Sequence, residues 1–395
     1  MDQEFTIEDL ADEGVTSGVE AESHQPLSQP FDPSSVSIGT QVVSLYSVLR
    51  RIGNKTINLS PAFQRNSVWD RTRQSLLIES MMLRIPLPMF YVAEDRNGKW
   101  EVVDGLQRLT AIHEFVKGPD EDGKGFKLKD LEFWGKNYNG KTFFALEKME
   151  EASMTVNHIL ETELQFTVIK PDTSEKVKRN IFKRINTGGM RLSEQEIRHA
   201  LYQGPSTDLL SDLVKNDIYL DTIGQTINDS RMAGRELILR YIAFSIFGYQ
   251  AYKGDMDDFL SAAMACLNDD QLYFKDSGFA FPTVVPTKKE IIQLFISGLE
   301  RNDLIFGEHA FRKSFGKDRK TPINKSLFDV WMLYLSELTK KQFDTVYKNK
   351  KSLLFDYKEL LQDVEFSNSI SRHSGSISGV TDRHKKIKDL ISKFI

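Results

Sequence analysis

Apolar positions follow two different rhythms along this chain, and the change between them divides it. Up to about residue 170 the periods of 2 and 3.6 alternate, so strands and helices mix. Residues 42–49 read as a short amphipathic helix, and Ile57 and Leu59 mark a strand. Asp70 is placed to cap a helix running through Leu76, Leu77 and Met81 to Arg84, where Pro86 and Pro88 stop it. Residues 89–93 and 100–103 flank Asn97-Gly98, a hairpin signal. Residues 128–139 are polar and aromatic and read as loop, while Leu164, Phe166 and Val168 alternate as another strand.

From Asp172 onward the helical period dominates. Asp172 or Thr173 can cap a helix with Val177, Ile181, Phe182 and Ile185 on one face, ended by Gly188-Gly189. Ser193 opens the next, with Glu196 in capping-box position, and Gly204-Pro205 closes it. Residues 236–247 form a long apolar helix, and residues 291–299, 327–338, 343–364 and a basic segment 383–394 continue the pattern. Residues 367–381 are rich in serine and glycine, and no internal repeat is evident. The expected class is α+β: a disordered acidic tail over 1–35, a small mixed-sheet domain over 36–170, and a mainly α-helical domain over 171–395.

Composition changes this picture little. At 40% hydrophobic and 27% charged the chain has an ordinary soluble profile. No run approaches the roughly 18 apolar residues of a membrane span. The acidic start does not resemble a signal peptide, so a cytoplasmic location is expected. The single cysteine, Cys266, excludes an intramolecular disulfide or a cysteine-clustered zinc site and reads as a small core residue. Charge is more informative. Nine acids and no lysine or arginine lie in residues 1–35, so the net −4 leaves +5 for the remainder. Such a leader reads as solubilising, or more sharply as a phosphate mimic that competes with nucleic acid.

The densest chemistry lies at Asp104-Gly105-Leu106-Gln107-Arg108, between a strand-like and a helix-like run. The first turn of a helix offers unpaired N–H groups and partial positive charge, and an arginine there adds a fork suited to phosphate. The plain alternative is a common D-G turn with a solvated Gln-Arg pair. Three more segments stand out. Gln64, Arg65 and Asn66 sit between the apolar anchors Phe63 and Trp69, where the alternative is a surface loop with a buried tryptophan. Arg184, Asn186 and Thr187 approach Gly188-Gly189, where backbone can come close to a ligand, the alternative being a glycine C-cap with solvated bases. In Gln195-Glu196-Ile197-Arg198, capping explains Glu196 and an exposed face explains Arg198.

Together these segments resemble the GmrSD-type N-terminal domain family, distant relatives of the ParB/sulfiredoxin-like fold. The matching stretches, in family order, are 61–69 (P-x-F-Q-R-x-x-V-W), 77–88 (L-I-E-S, then I-P-L-P), 103–110, and 182–200 (F-x-R-I-N-T-G-G, then L-x-x-Q-E-I-R-x-A). Weaker likeness continues through 228–244, 306–312 and 323–331. The family's D-G-Q-Q-R reads D-G-L-Q-R here, with Leu106 in place of the first glutamine.

The resemblance implies nucleotide-dependent action on DNA in bacterial restriction and antiphage defence. Relatives often add an HNH nuclease; no pair among the seven histidines has that spacing, so a separately encoded nuclease or toxin subunit is an expected partner. The expected mechanism places a nucleoside triphosphate at the helix after Gly105. Asp104, Gln107 and Arg108 form the expected catalytic set. Asp104 positions Mg²⁺ or the attacking water, and Arg65, Gly105, Arg108, Arg184, Asn186 and Thr187 contact the nucleotide. The expected nucleic-acid contacts are Lys178, Arg179, Lys183, Arg191 and Arg198, with further basic runs at 312–325 and 383–388. The competing readings are a non-catalytic nucleic-acid-binding module and an antitoxin-like regulator of a partner nuclease. The oligomeric state stays open.

Overall fold

The computed structural model describes residues 7–10, 15–20, 36–59, 69–118, 125–185, 192–223 and 227–395. The chain divides into two compact units, one of Phe31–Arg191 and one of Met1–Pro30 with Leu192–Ile395. Helices dominate the second, and a mixed sheet organises the first, an α+β arrangement.

The strands are β1 (Ile7–Leu10), β2 (Val15–Glu20), β3 (Ile38–Ser44), β4 (Ile57–Asn58), β5 (Phe90–Glu94), β6 (Trp100–Asp104) and β7 (Glu163–Ile169). The sheet unit has the order β3-β7-β5-β6-β4. β3 is antiparallel to β7, β5 parallel to β7, β6 antiparallel to β5, and β4 parallel to β6. Its helices are α1 (Leu45–Gly53), α2 (Arg71–Met82), α3 (Leu106–Lys117), α4 (Gly135–Tyr138), α5 (Phe143–Glu147), α6 (Ser153–Leu160) and α7 (Glu175–Ile185). Phe90, Val92, Trp100, Val102, Leu164, Phe166 and Val168 alternate onto one face and are buried by α1, α2, α3, α5 and α6. Phe166 stacks on Phe90 with ring centroids 5.2 Å apart. On the opposite face α7 packs against β6 and buries Val177 and Phe182.

The hairpin at Asn97-Gly98 and the Asp70 cap are present; the Asp70 carboxylate accepts from the Arg73 N–H at 2.7 Å. Residues 42–44, expected to begin a helix, instead extend β3. Val42 and Val43 pair with Gln165 and Leu164, and this seven-residue ladder outweighs a short amphipathic pattern. Within 128–139, expected as loop, Gly135–Tyr138 makes one helical turn.

The helical unit contains α8 (Glu194–Leu201), α9 (Pro205–Val214), α10 (Asp217–Ile223), α11 (Ala233–Phe247), α12 (Met256–Leu267) and α13 (Tyr273–Asp276). It continues with α14 (Lys288–Phe306), α15 (Lys325–Glu337), α16 (Lys340–Lys348), α17 (Lys350–Gln362), α18 (Val364–Ser369) and α19 (Ile377–Ser392). Ser193 and Glu196 form the expected capping box, and Cys266 is buried, with burial pushing its thiol up to about 11. No helix among the described residues is long and apolar enough to cross a membrane.

The acidic leader departs from the disordered tail expected of it. β1 and β2 form an antiparallel pair, and Val19 is fully buried in the core of the helical unit. The Glu20 N–H donates to Ile323 O at 2.8 Å, and its carboxylate accepts from Lys313 at 2.6 Å and Asn324 at 2.9 Å. Composition points to disorder, but Ser17 and Val19, two apart on β2, share one face, and both are buried. The expected boundary at residue 170 also moves, because α7 belongs with the sheet.

α11 and α15 cross over a fully buried ion pair. Arg240 donates to both oxygens of Asp329 at 3.0 and 2.7 Å, and Arg383 of α19 approaches the same carboxylate at 3.5 Å. Removing the shared anion leaves two guanidinium groups buried beside each other. Asp329→Ala is therefore expected to cost about 3–5 kcal/mol of unfolding free energy, read by denaturant titration; a loss below about 1 kcal/mol would show that the cluster relaxes without its anion.

Candidate functional site

β6 ends at Asp104, and Gly105 turns the chain into α3 with φ of 94°. Only glycine fits: a Cβ would lie 2.3 Å from the Phe90 ring and 3.1 Å from the Arg108 guanidinium. Gly105 supplies no side-chain cap, so the first N–H groups of α3 face the turn without one.

Arg108 closes the turn rather than reaching out of it. Its guanidinium donates to Pro88 O, to Met89 O at 3.1 Å and to Asp104 Oδ2 at 2.9 Å. It also lies over the Phe90 ring at 4.4 Å. The residue is 9% exposed, and burial lowers its pKa while the Asp104 carboxylate opposes the shift. Arg108 is thus a clamp between the strand end, the β5 approach and the helix, and a phosphate would have to displace one of its acceptors. Asp104 is more available, with its side chain 40% exposed. Gln107 accepts from the Trp69 N–H at 3.4 Å, which ties the start of α2 to the same turn. Leu106 packs on the sheet core.

A second carboxylate belongs here, and the sequence pattern concealed it. Glu101 lies opposite Ala93, and Asp104 lies opposite Tyr91. Opposed residues share a face, and so do Tyr91 and Ala93, two apart on β5. The register shifts between Tyr91 and Val92, so a bulge absorbs one residue of β6. Glu101 and Asp104, three apart in sequence, therefore emerge on one face, in rows roughly 7 Å apart. In an unbulged strand they would point to opposite faces. Burial, with the neighbouring Asp95 charge, raises the Glu101 carboxyl to about 7, while Asn58 Nδ2, 3.4 Å away, opposes the shift. A carboxyl titrating near neutrality suits general acid–base work.

α7 packs against β6, and Arg184, near the end of α7, is exposed. Arg65, Asn186, Thr187 and Arg191 lie outside the described residues. The L-I-E-S motif has a structural use: Glu79 accepts from the N–H groups of Glu132, Phe133 and Trp134 at 2.8–2.9 Å. Among the described residues no three His, Cys, Asp or Glu converge as a metal cage.

The expected nucleic-acid face needs correction. Lys178 and Arg179 are buried, and Lys178 donates to Pro171 O at 3.2 Å; Lys183 is half-buried. Arg198, expected on an exposed face, has a side chain only 1% exposed, where it binds Asp257, Gln195 Oε1 at 2.9 Å and Glu236 at 3.3 Å. Burial alone would raise the Glu236 carboxyl, but Lys325, Arg198 and Arg240 outweigh it and hold it well below the usual carboxylate range. The basic pattern at 178–198 is legible in sequence, but which cations turn inward follows from packing.

Two outcomes are expected from the turn. Gly105→Ala should lower unfolding free energy by at least ~2 kcal/mol, since left-handed strain adds to the clash with Phe90; a neutral effect would contradict the close approach. The folded protein holds the Glu101 proton more tightly than the unfolded chain. Wild type should therefore lose stability, on the order of 2 kcal/mol, as pH rises from the unfolded carboxyl range through about 7. Glu101→Gln should flatten that window, and identical pH–stability curves would refute the assignment.

No curated protein matches the chain. A family model described as the GmrSD restriction endonuclease, N-terminal domain, matches residues 46–203. That span contains the bulged β6, the Asp104–Arg108 turn and α7. Over residues 46–203 this chain therefore carries an N-terminal domain of the GmrSD restriction endonuclease family.

Proposed function

We propose that the chain is the nucleotide-handling, DNA-directed component of a bacterial restriction or antiphage defence system. The observation that carries this reading is the turn itself: a strand end bearing two carboxylates on one face, leading through an αL glycine into a helix start without a side-chain cap. Triphosphate oxygens suit the uncapped N–H groups of α3. Asp104 is the residue that would hold Mg²⁺, which commonly takes one or two carboxylates and completes its shell with water and phosphate; bound there, it would neutralise phosphate charge. Glu101, whose carboxyl burial raises to about 7, can in its ionised form take a proton from an attacking water. Arg108 is a positioning residue, since its fork orients Asp104 and fixes the turn. The reading includes DNA as the regulator and a separately encoded nuclease or toxin as the effector, with action in the cytoplasm.

One observation favours a second reading. Leu106 points its side chain into the sheet core, so the turn lacks a first polar group to orient water. The domain would then bind nucleotide and signal to a partner without turnover.

Phosphate release from each of the four NTPs with Mg²⁺, with and without DNA, separates the two. Wild type is expected to turn over, and Asp104→Asn and Glu101→Gln to lose about 100-fold while remaining folded by circular dichroism. Nucleotide-dependent thermal stabilisation without turnover would support the second reading. Neither turnover nor stabilisation would exclude the turn as a nucleotide site.

A further inference from the structure

A cavity of about 640 Å³ lies in the helical unit, far along the chain from residues 46–203, between the end of α14, the loop at Phe315-Gly316 and α17. Its floor is aromatic and braced. Phe306 meets Trp331 edge-on at 4.7 Å, and both Phe306 and Phe315 meet the buried Tyr357 edge-on, at 5.7 and 5.5 Å. Phe355 stands at the rim, 64% exposed, with no ring partner among the described residues. Three lysines line the same cavity. Lys350 donates to Leu304 O at 2.7 Å, while Lys351 and Lys358 are exposed and have no carboxylate partner among the described residues. The one acid in the lining, Glu308, is matched by Lys320 at 2.7 Å.

The basic run at 312–325 divides in a way that supports this site. Arg312, Lys313 and Lys325 turn inward, to Thr321 O, Glu20 and Glu236. Lys317 and Arg319 stay exposed on the loop that follows Gly316, so positive charge continues past the cavity.

We infer that this cavity and its lysine rim bind single-stranded nucleic acid, with a base stacked against Phe355 and backbone phosphates on Lys351, Lys358 and the Lys317–Arg319 loop. Aromatic faces accept any base, and unpaired lysines complement phosphate, the combination that tracks a strand without reading its sequence. A cavity of this size admits a nucleotide unit. The cations beyond its edge favour a continuous strand over a free mononucleotide. The inference deepens only the DNA part of the proposed function and does not depend on chemistry at Asp104.

Fluorescence anisotropy of a labelled oligothymidylate 20-mer with the full chain, without nucleotide, tests it. Wild type is expected to bind with affinity that falls steeply with salt, and to prefer the single strand over a duplex. Phe355→Ala should weaken binding roughly tenfold, with Phe355→Trp restoring it. Lys351→Glu with Lys358→Glu should weaken it further and flatten the salt dependence. Asp104→Asn should bind as wild type, which separates this site from the nucleotide turn. The inference is overturned if wild type does not bind the strand, if the Phe355 and lysine variants bind as tightly as wild type, or if duplex binds equally well. Competition by thymidine monophosphate as effective, per phosphate, as the oligonucleotide would overturn the assignment to a strand.

Discussion

The guanidinium of Arg108 governs the sheet unit's chemistry. It is buried, charged and tied to the β6 carboxylate, two carbonyls ahead of β5 and the face of Phe90. A group of that kind tolerates little displacement, because each lost acceptor leaves a desolvated N–H. It therefore fixes the angle at which α3 leaves the sheet, and the absent Cβ at Gly105 is what lets the guanidinium and Phe90 come so close. A residue that looks from its motif like a ligand contact is first a structural strut. It also sets the orientation of Asp104.

The helical unit uses buried charge differently. Arg198, Glu236, Lys325, Asp257, Arg240, Asp329 and Arg383 interlock from five helices, with side chains largely excluded from water. Such clusters add modest net stability but strongly penalise alternative packings, since any slipped helix leaves an unmatched ion. The segments at 228–231 and 236–240 supply Glu236 and Arg240 to this arrangement and an Arg231–Glu196 pair beside it. These motifs serve packing within the unit, while exposed cations gather elsewhere, at Lys351, Lys358 and the loop after Gly316.

The bulge in β6 shows how a local irregularity brings two carboxylates together. A regular strand would carry Glu101 and Asp104 to opposite faces. One extra residue brings them to a common face and leaves Glu101 short of solvent and near Asp95. Bulges are frequent beside active sites for this reason.

Much of the secondary structure was legible because it rests on local rules. The Asp70 cap, the Asn97-Gly98 hairpin, the Ser193–Glu196 capping box and the helical period beyond residue 172 each need only neighbouring residues. The strand-to-helix turn at Asp104-Gly105 was legible for the same reason. Register and burial were not, because they depend on partners distant in sequence. β7 turned residues 42–44 into strand, a groove near Ile323 ordered part of an acidic leader, and helix packing drew Arg198, Arg312 and Arg383 inward. The pairing of Glu101 with Asp104 depended on a one-residue shift against β5, which no pattern within β6 encodes. Sequence alone determined which residues could do chemistry; tertiary contacts decided which of them face a ligand, because desolvation and strand register are properties of the assembled chain.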